Sequence, residues 1–254
     1  MEMDPGLAAA QAVALEEYAA SMNPNRPRIC TGNSLCRFWS DDDPFDVERT
    51  EELVIPNFLN GKEMEECHEA AAGREADLGD CLTNWRSTAS GEQVPLCEAL
   101  AGVAHDIAYS DEHVALYLHR GEYFQRAWPI LWGKILSGMR SQPGKWGDPA
   151  AVLNVRCIEL HTYAVGGSLL HPHHRDNGSA LTLSVQLSGR EDFGGGHFVT
   201  WTEGLPILHE IARGGAILFH SEKRHNVTTV THGTRHSLVV ELWNNAKNTE
   251  NRFS

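Results

Sequence analysis

The chain has 254 residues, of which 34 are Asp or Glu and 21 are Lys or Arg, so its formal net charge is -13 at neutral pH. Nonspecific binding to nucleic acid depends on cationic side chains that neutralise phosphates, and this excess of acidic residues argues against a nucleic-acid partner. The length suffices for one large domain or at most two compact units.

Residues 1–48 differ in composition from the rest of the chain. Residues 7–20 could form an alanine-rich helix, but residues 22–44 are rich in proline and asparagine and include an acidic run at 41–43. We interpret residues 1–48 as a partly flexible N-terminal extension. They contain neither a cationic start nor a sustained apolar segment, so we expect no secretory signal, no transmembrane helix and no membrane partner.

Residues 49–150 are predicted to form a helical support region with a short strand. Residues 51–59 fit a strand followed by a turn, and residues 61–74 fit a helix. Further helices are predicted at 96–107 and, with an interruption, at 113–140. Apolar and aromatic side chains recur in the last region, a pattern that more often packs against a sheet than forms a binding site.

Residues 151–244 are predicted to form a β-rich core, followed by a C-terminal tail at 245–254. In residues 181–187 apolar side chains alternate with polar ones, which indicates a strand with one apolar and one polar face. Glycine-containing turns separate this segment from several further short strands. Such spacing is typical of a sandwich or barrel, and a polar inner face suits a barrel that holds a ligand.

His174 and Asp176 are two residues apart in a segment predicted to be extended. Residues i and i+2 of an extended chain share a face, so both side chains can bind one metal ion while Arg175 points away. His225, 49 residues after Asp176, supplies a third ligand. Two imidazoles and one carboxylate leave three positions of an octahedron open, which is typical of non-haem Fe(II) oxygenases.

The choice of histidines needs care, because 10 of the 14 in the chain lie in residues 161–236. His220 and His232 are alternative third ligands, but the first ends an apolar strand and the second lies in a predicted turn. His171 and His173 have the opposite parity to the metal-binding pair, so we expect them at the rim of the site or on the surface and not as metal ligands.

Residues 151–243 resemble the catalytic core of the prolyl 4-hydroxylase-type dioxygenases, which use Fe(II) and 2-oxoglutarate. The matching features are His174-Arg175-Asp176, the Phe-x-Gly-Gly-like stretch Phe193 to Phe198, the apolar strand at 215–219, His225 and Arg235. The resemblance implies a mainly β fold with helical support (α+β), in which a double-stranded β-helix of the jelly-roll, cupin-like type forms the core.

The resemblance also implies roles for individual residues. His174, Asp176 and His225 would bind the iron and act as the catalytic residues. Arg235 would bind the distal carboxylate of 2-oxoglutarate, at a position where collagen-type members have lysine. A guanidinium can hold a carboxylate through two parallel hydrogen bonds, so the exchange preserves the function.

Three further residues are predicted to bind the cosubstrate. Ser237 is two residues after Arg235 and shares its strand face, so its hydroxyl could reach the same carboxylate. Tyr163 and Thr182 match family positions that contribute hydroxyls to the cosubstrate pocket. The interval of 11 residues from Tyr163 to His174 is slightly longer than in collagen-type members and alters the rim of the pocket.

The resemblance implies an oxidoreductase that couples hydroxylation of a substrate C–H bond to decarboxylation of 2-oxoglutarate. The reaction would consume O2 and release succinate and CO2, and ascorbate would help to keep the iron reduced. We predict a peptide or protein substrate, with a small-molecule 2-oxoglutarate hydroxylase as the alternative. Demethylases of alkylated nucleic acids carry a second arginine six residues after the one matching Arg235, whereas this chain has Glu241 there.

Two other classes share the predicted barrel. A metal-binding cupin usually presents His-x-His with a nearby glutamate, and His171-Pro172-His173 offers the pair without that glutamate. A non-catalytic barrel module would have lost metal ligands or Arg235, all of which are present. The sequence contains no signal for an oligomeric state.

The six cysteines are sparse and include no Cys-x-x-Cys pair. We therefore expect reduced thiols and an intracellular, cytoplasmic protein. The glycosylation sequons at Asn177 and Asn226 both adjoin proposed metal ligands, where a glycan would be obstructive, and this also disfavours the secretory pathway.

Overall fold

The computed structural model describes residues 7–9, 11–12, 47, 49–82, 85–87, 93–95, 108–110, 112–141, 153–171 and 174–249. Its strands are β1 (Leu53–Ile55), β2 (Trp85–Ser87), β3 (Gln93–Pro95), β4 (Ala108–Ser110), β5 (His113–Tyr117), β6 (Asn154–Tyr163), β7 (Leu181–Gln186), β8 (Phe193–Gly195), β9 (Phe198–Thr202), β10 (Leu205–His209), β11 (Ala216–His220), β12 (His225–Val227), β13 (Val230–Gly233) and β14 (Arg235–Trp243). Its helices are α1 (Gly61–Leu82), α2 (Tyr123–Ala127) and α3 (Pro129–Arg140), with a 3-10 helix at Arg120–Glu122.

The strands form two main layers. The large sheet has the order β1-β11-β7-β14-β6-β5-β4, and all its pairs are antiparallel. The smaller layer contains the sheet β10-β9-β12 and the pair β8-β13. A cavity between the layers is lined by residues of β6, β7, β11 and β14 from one side and of β9 and β12 from the other. The architecture is the predicted double-stranded β-helix with helical support.

The apolar face of the large sheet forms the main core. On β7 the side chains of Leu181, Leu183 and Val185 belong to this core, as predicted from the alternation in the sequence. The helices cover this face and contribute to the same cluster with Met64, Cys67, Ala70, Ala71, Phe124, Leu131, Ile135 and Met139. The opposite face of the sheet is thereby left to line the cavity.

Helix α1 begins with a reciprocal capping interaction. The amide of Glu63 donates to the side-chain oxygen of Asn60 (3.0 Å), and the amide of Asn60 donates to the Glu63 carboxylate (2.8 Å). This capping box satisfies amides that the first helical turn leaves without partners. Lys134 of α3 forms an ion pair with Glu63 (2.6 Å) and links the two helices at this point.

The predicted helical region at 113–140 is wrong over its first residues. Residues 113–117 are the strand β5, which pairs with β6, and helical structure starts only at Arg120. In β5 the side chains of His113, Ala115 and Tyr117 are buried while those between them are more exposed, a two-residue period that fits a strand. The helix at 61–74 is confirmed and extends to Leu82.

Several other predictions concern residues outside the described ranges. They include the helix at 96–107 and most of residues 1–48, of which 7–9 and 11–12 are helical and place Leu7 against Val199 and Trp201. The thiols of Cys67 and Cys157 are buried and not in disulfides. None of the described helices combines the length and the apolar character needed to cross a membrane.

Candidate metal centre and anion pocket

His174, Asp176 and His225 converge at one end of the cavity. Nε2 of His174 lies 3.5 Å from Oδ1 of Asp176, and Nε2 of His225 lies 3.6 Å from Oδ2 of the same carboxylate. The three ligand atoms are within 4.8 Å of one another. Metal–ligand bonds of about 2.1 Å give neighbouring ligand atoms a separation of about 3 Å, so small side-chain shifts would bring all three onto one ion.

Hydrogen bonding fixes which nitrogen of His225 faces the centre. Nδ1 of His225 donates to the backbone carbonyl of Lys223 (3.0 Å). The lone pair of Nε2 is therefore directed toward Asp176. Contacts of this kind hold a metal-binding imidazole in the required tautomer and orientation.

Asp176 is held by a residue of β7 and by the residue that follows β11. The hydroxyl of Thr182 donates to Oδ2 of Asp176 (2.7 Å) and lies 2.9 Å from the hydroxyl of Ser221. The backbone amide of Asp176 donates to the carbonyl of Ser221 (2.9 Å). The carboxylate is thus oriented before any metal binds.

Hydrogen bonds link the two chain segments that supply the metal ligands. The amide of His225 donates to the carbonyl of His174 (3.2 Å). The side-chain amide of Asn226 donates to the carbonyls of Leu169 (3.0 Å) and His171 (2.9 Å), and its oxygen accepts from the indole of Trp201 (2.6 Å). Asn226 is buried and uses its side chain in this way, so the sequon at this position is not available to a glycan in the folded chain.

A buried ion pair anchors the segment before His225. Nζ of Lys223 lies 3.0 Å from the Glu52 carboxylate and donates to the carbonyl of Thr50 (2.6 Å). Burial acts to raise the pKa of Glu52, but the hydroxyl of Thr200 and the charge of Lys223 outweigh it, and the net pKa shift is downward. The carboxylate stays ionised and holds the Lys223 backbone, whose carbonyl orients His225.

The donor set fits a hard or borderline transition-metal ion that retains open positions. Two neutral imidazoles and one carboxylate on one side of an ion match the facial arrangement of non-haem iron centres. Of the other histidines considered from the sequence, those within the described residues, His171, His220 and His232, do not join this group. His220 accepts a hydrogen bond from the amide of Glu222 (3.1 Å), and His171 is an exposed residue outside the group.

Arg235 lies on the wall of the same cavity and is 2 % exposed. Its Nη1 donates to the hydroxyl of Ser237 (3.1 Å), whereas Nε has no hydrogen-bond partner. Among the described residues, no carboxylate forms an ion pair with it. Burial lowers the pKa of Arg235, yet a guanidinium remains protonated in proteins, so the cavity contains an uncompensated positive charge.

The glycine-rich stretch at 193–198, predicted as a turn, forms the strand β8, the short link to β9 and the first residue of β9, and it makes room for this arginine. Gly196 has a φ of +55°, and a side-chain carbon added there would lie 3.0 Å from Cδ of Arg235 and 3.1 Å from Phe193. Any larger residue would need both an unfavourable backbone conformation and a displaced arginine. Gly196 therefore helps to shape the anion pocket.

All seven residues predicted from the sequence line one cavity. The lining residues are Glu159, His161, Tyr163, Leu169, His174, Asp176, Thr182, Ser184, Phe198, Phe219, His225, Val227, Arg235, Ser237, Val239 and Glu241. Tyr163 contributes its ring, over which the guanidinium of Arg235 lies at 5.2 Å from the centroid. Thr182 contributes its hydroxyl to Asp176, as described above.

Sequence reasoning missed the polar floor of this cavity. Glu159 and Glu241 are fully buried, and with Cys157 they form a second group whose ligand-type atoms lie within 4.8 Å of one another. Arg156 (3.3 Å) and the hydroxyl of Ser179 (2.5 Å) both contact the Glu241 carboxylate. The two-residue spacing of Glu159, His161 and Tyr163 on β6 could have revealed this inward face.

We predict that Thr182→Val weakens metal binding about tenfold, because loss of a group that orients a metal ligand typically has this effect. The change preserves the shape of the side chain and removes the hydroxyl that holds Asp176. Ser184→Ala is the matched control, since Ser184 lines the same cavity from the same strand. An anaerobic Fe(II) titration compares the variants. Equal affinities of parent and Thr182→Val, or equal losses in both variants, would contradict the assigned role.

We predict that Lys223→Met destabilises the fold by about 3 kcal/mol or more, since it leaves a buried carboxylate without its partner. Lys134→Met breaks a more exposed ion pair and should cost below about 1 kcal/mol. Chemical denaturation gives both values. The double variant Glu52→Gln with Lys223→Met should recover part of the loss. A Lys223→Met protein as stable as the Lys134→Met control would show that the buried pair does not anchor this segment.

No family model matches the sequence, and no curated protein matches it. Several solved structures show similarity to this one. A 2OG-Fe(II) oxygenase-family oxidoreductase from Burkholderia pseudomallei is 13% identical with a TM-score of 0.45, covering 87% of this chain and 96% of that one. A prolyl-4-hydroxylase from Pseudomonas putida is 14% identical with a TM-score of 0.45, covering 84% and 100%.

A prolyl hydroxylase from Trichoplax adhaerens, solved with a fragment of the hypoxia-inducible factor oxygen degradation domain, is 14% identical with a TM-score of 0.52. The alignment covers 79% of this chain and 87% of that chain. At this level of identity the likeness concerns the fold. The chain therefore has the double-stranded β-helix fold of this prolyl hydroxylase.

Proposed function

We propose that the protein is an Fe(II)- and 2-oxoglutarate-dependent dioxygenase that hydroxylates a residue of a peptide or protein. One observation supports this proposal above all others. A His-Asp-His group with open positions and a buried, uncompensated arginine lie on the walls of one cavity. The first fits a metal ion and the second fits an anion, so the cavity fits a metal-chelating acid with a second carboxylate.

The electrostatics favour a dicarboxylate over a neutral ligand. Burying a charge away from water costs several kcal/mol, and the cost is offset only when an opposite charge or hydrogen bonds compensate the buried group. Arg235 has only the Ser237 hydroxyl and the face of Tyr163 as partners among the described residues. A carboxylate between Arg235 and Ser237 would complete the guanidinium's hydrogen bonds.

The residues that line the cavity would hold the metal and the cosubstrate and keep water away from them. When bound, Fe(II) supplies the site at which O2 is activated. His174, Asp176 and His225 would hold it, and Arg235 would orient 2-oxoglutarate. Apolar side chains close the space between these groups and exclude water: Leu169, Phe198, Phe219 and Val227.

The choice of a peptidyl substrate rests on the shared fold and on the open end of the cavity. The side chain of His174 is 17 % exposed, so the metal centre is reachable from outside, whereas Arg235 is enclosed. The prolyl hydroxylase of similar fold was solved with a peptide bound. A small polar substrate is the second candidate, because the cavity floor contains Glu159 and Ser184.

The site assignment predicts a specific spectroscopic result. Anaerobic addition of Fe(II) and then 2-oxoglutarate should produce the visible metal-to-ligand charge-transfer band. His174→Ala should abolish the band. Arg235→Gln should raise the 2-oxoglutarate concentration needed by about a hundredfold, since a lost partner of a buried charge pair costs 2–5 kcal/mol.

Arg190→Gln is the control for that experiment, because Arg190 lies nearby over Phe193 but does not line the cavity. This variant should need the same 2-oxoglutarate concentration as the parent to develop the band. Bound metal without any band would favour a metal-binding cupin. A folded protein that binds no metal would favour a non-catalytic barrel.

The substrate class predicts which compounds stimulate the enzyme. Proline-containing peptides should raise succinate formation above the rate without substrate, and mass spectrometry should find a peptide with one added oxygen. The same assay with small polar metabolites is the comparison. Stimulation by metabolites and by no peptide would replace the peptidyl proposal with a small-molecule hydroxylase.

A further inference from the structure

Tyr163 lies in a row of three inward-facing side chains on neighbouring strands. In the large sheet it is the cross-strand partner of Arg235 on one side and of His113 on the other. The Arg235 guanidinium lies over its ring at 5.2 Å from the centroid. A cation over an aromatic face is attracted by the ring, so the position of Tyr163 affects the position of Arg235.

His113 packs flat against Tyr163 from behind. The ring centroids are 3.8 Å apart and the planes differ by 20°. His113 is fully buried and does not line the cavity, whereas Tyr163 does. The histidine is therefore separated from a ligand in the cavity and can act on it only through a neighbour that lines the cavity, such as Tyr163.

A chain of hydrogen bonds fixes the orientation of the His113 ring. Its Nδ1 lies 3.0 Å from the Ser168 carbonyl, which can only accept, so this nitrogen carries a hydrogen. Its Nε2 lies 3.0 Å from Nδ1 of His161. Burial, with the nearby charges of His161 and Arg235, lowers the pKa of His113 to about 2, so the ring is neutral and Nε2 is an acceptor.

The chain continues to the cavity floor. Nδ1 of His161 donates to His113, because Nε2 of His113 is an acceptor. The other nitrogen of His161, Nε2, lies 2.9 Å from Oε2 of Glu159, and one proton is shared between these two atoms. Both ring nitrogens of His113 are thus engaged, and its plane cannot rotate away from Tyr163 without breaking two buried hydrogen bonds.

We propose that His113 is a positioning residue for the dicarboxylate cosubstrate: its flat, neutral ring holds Tyr163, and Tyr163 holds the guanidinium of Arg235 at the distal carboxylate. This inference rests on the proposed function and adds a residue that touches neither metal nor cosubstrate. A charged or mobile group at this position would repel or release Arg235.

The test separates the ring of His113 from its hydrogen bonds. His113→Gln can keep a donor to Ser168 and an acceptor for His161, but it has no ring to support Tyr163. His113→Phe keeps the flat ring and loses the hydrogen bonds. The dissociation constant of 2-oxoglutarate is measured anaerobically on the Fe(II)-loaded protein. We expect the glutamine variant to bind about tenfold more weakly, and the phenylalanine variant to stay within about threefold of the parent.

A second ligand shows whether the effect acts through Arg235. 2-Oxopentanoate has the metal-chelating group of 2-oxoglutarate but no distal carboxylate. The His113→Gln variant should bind it as the parent does. His119→Ala is the protein control, since His119 is equally buried and bonds to the Ile158 backbone without contacting Tyr163, and it should leave both affinities unchanged.

Several outcomes would overturn the proposal. They are parent-like binding of 2-oxoglutarate by His113→Gln, an equal loss for both oxo acids, or an equal loss in His119→Ala. Thermal unfolding checks that each variant is folded, and His113→Leu replaces the glutamine variant if that one is not. No 2-oxoglutarate binding by the parent would remove the proposed function as well, whereas unchanged binding by the variant removes this inference alone.

Discussion

The two-residue alternation of the large sheet constrains everything else in this molecule. Its outer face is apolar and covered by helices, so its inner face must accept the polar side chains of the same strands. Two of these, the carboxylates of Glu159 and Glu241, form hydrogen bonds with His161 and with Arg156 and Ser179. Among the described residues, Arg235 has no carboxylate partner. The buried guanidinium of Arg235 therefore gains a partner of opposite charge only when an anion enters the cavity.

Preorganisation is the second property that follows from the packing. The segments carrying the metal ligands bond to each other, to Thr182 and Ser221, and through Lys223 to Glu52 near the start of the large sheet. A metal ion would therefore meet ligands that have already lost much of their conformational freedom, which lowers the entropic cost of binding. The same rigidity keeps the anion pocket at a fixed position relative to the metal.

The sequence predicted the parts of this site that depend on local parity. The two faces of β7 and the pair Arg235 and Ser237 follow from residues two apart on one strand. His174 and Asp176 also lie close together, although the structure places them in an irregular segment before β7 and not on a strand. Residues 113–117 were misjudged because an apolar and aromatic run fits a helix as well as a strand, and only pairing with β6 decides. The support that Asn226 and Lys223 give the site depends on contacts with residues distant in sequence, which no local pattern reveals.

The most direct test of the central claim is anomalous diffraction from crystals grown anaerobically with Mn(II) as a stand-in for Fe(II) and with 2-oxoglutarate. We predict one anomalous peak, from a metal ion bound by His174, Asp176 and His225. The oxo acid should chelate this ion and place its distal carboxylate against Arg235 and Ser237. Metal at the Cys157, Glu159 and Glu241 group, or an oxo acid bound away from Arg235, would contradict it.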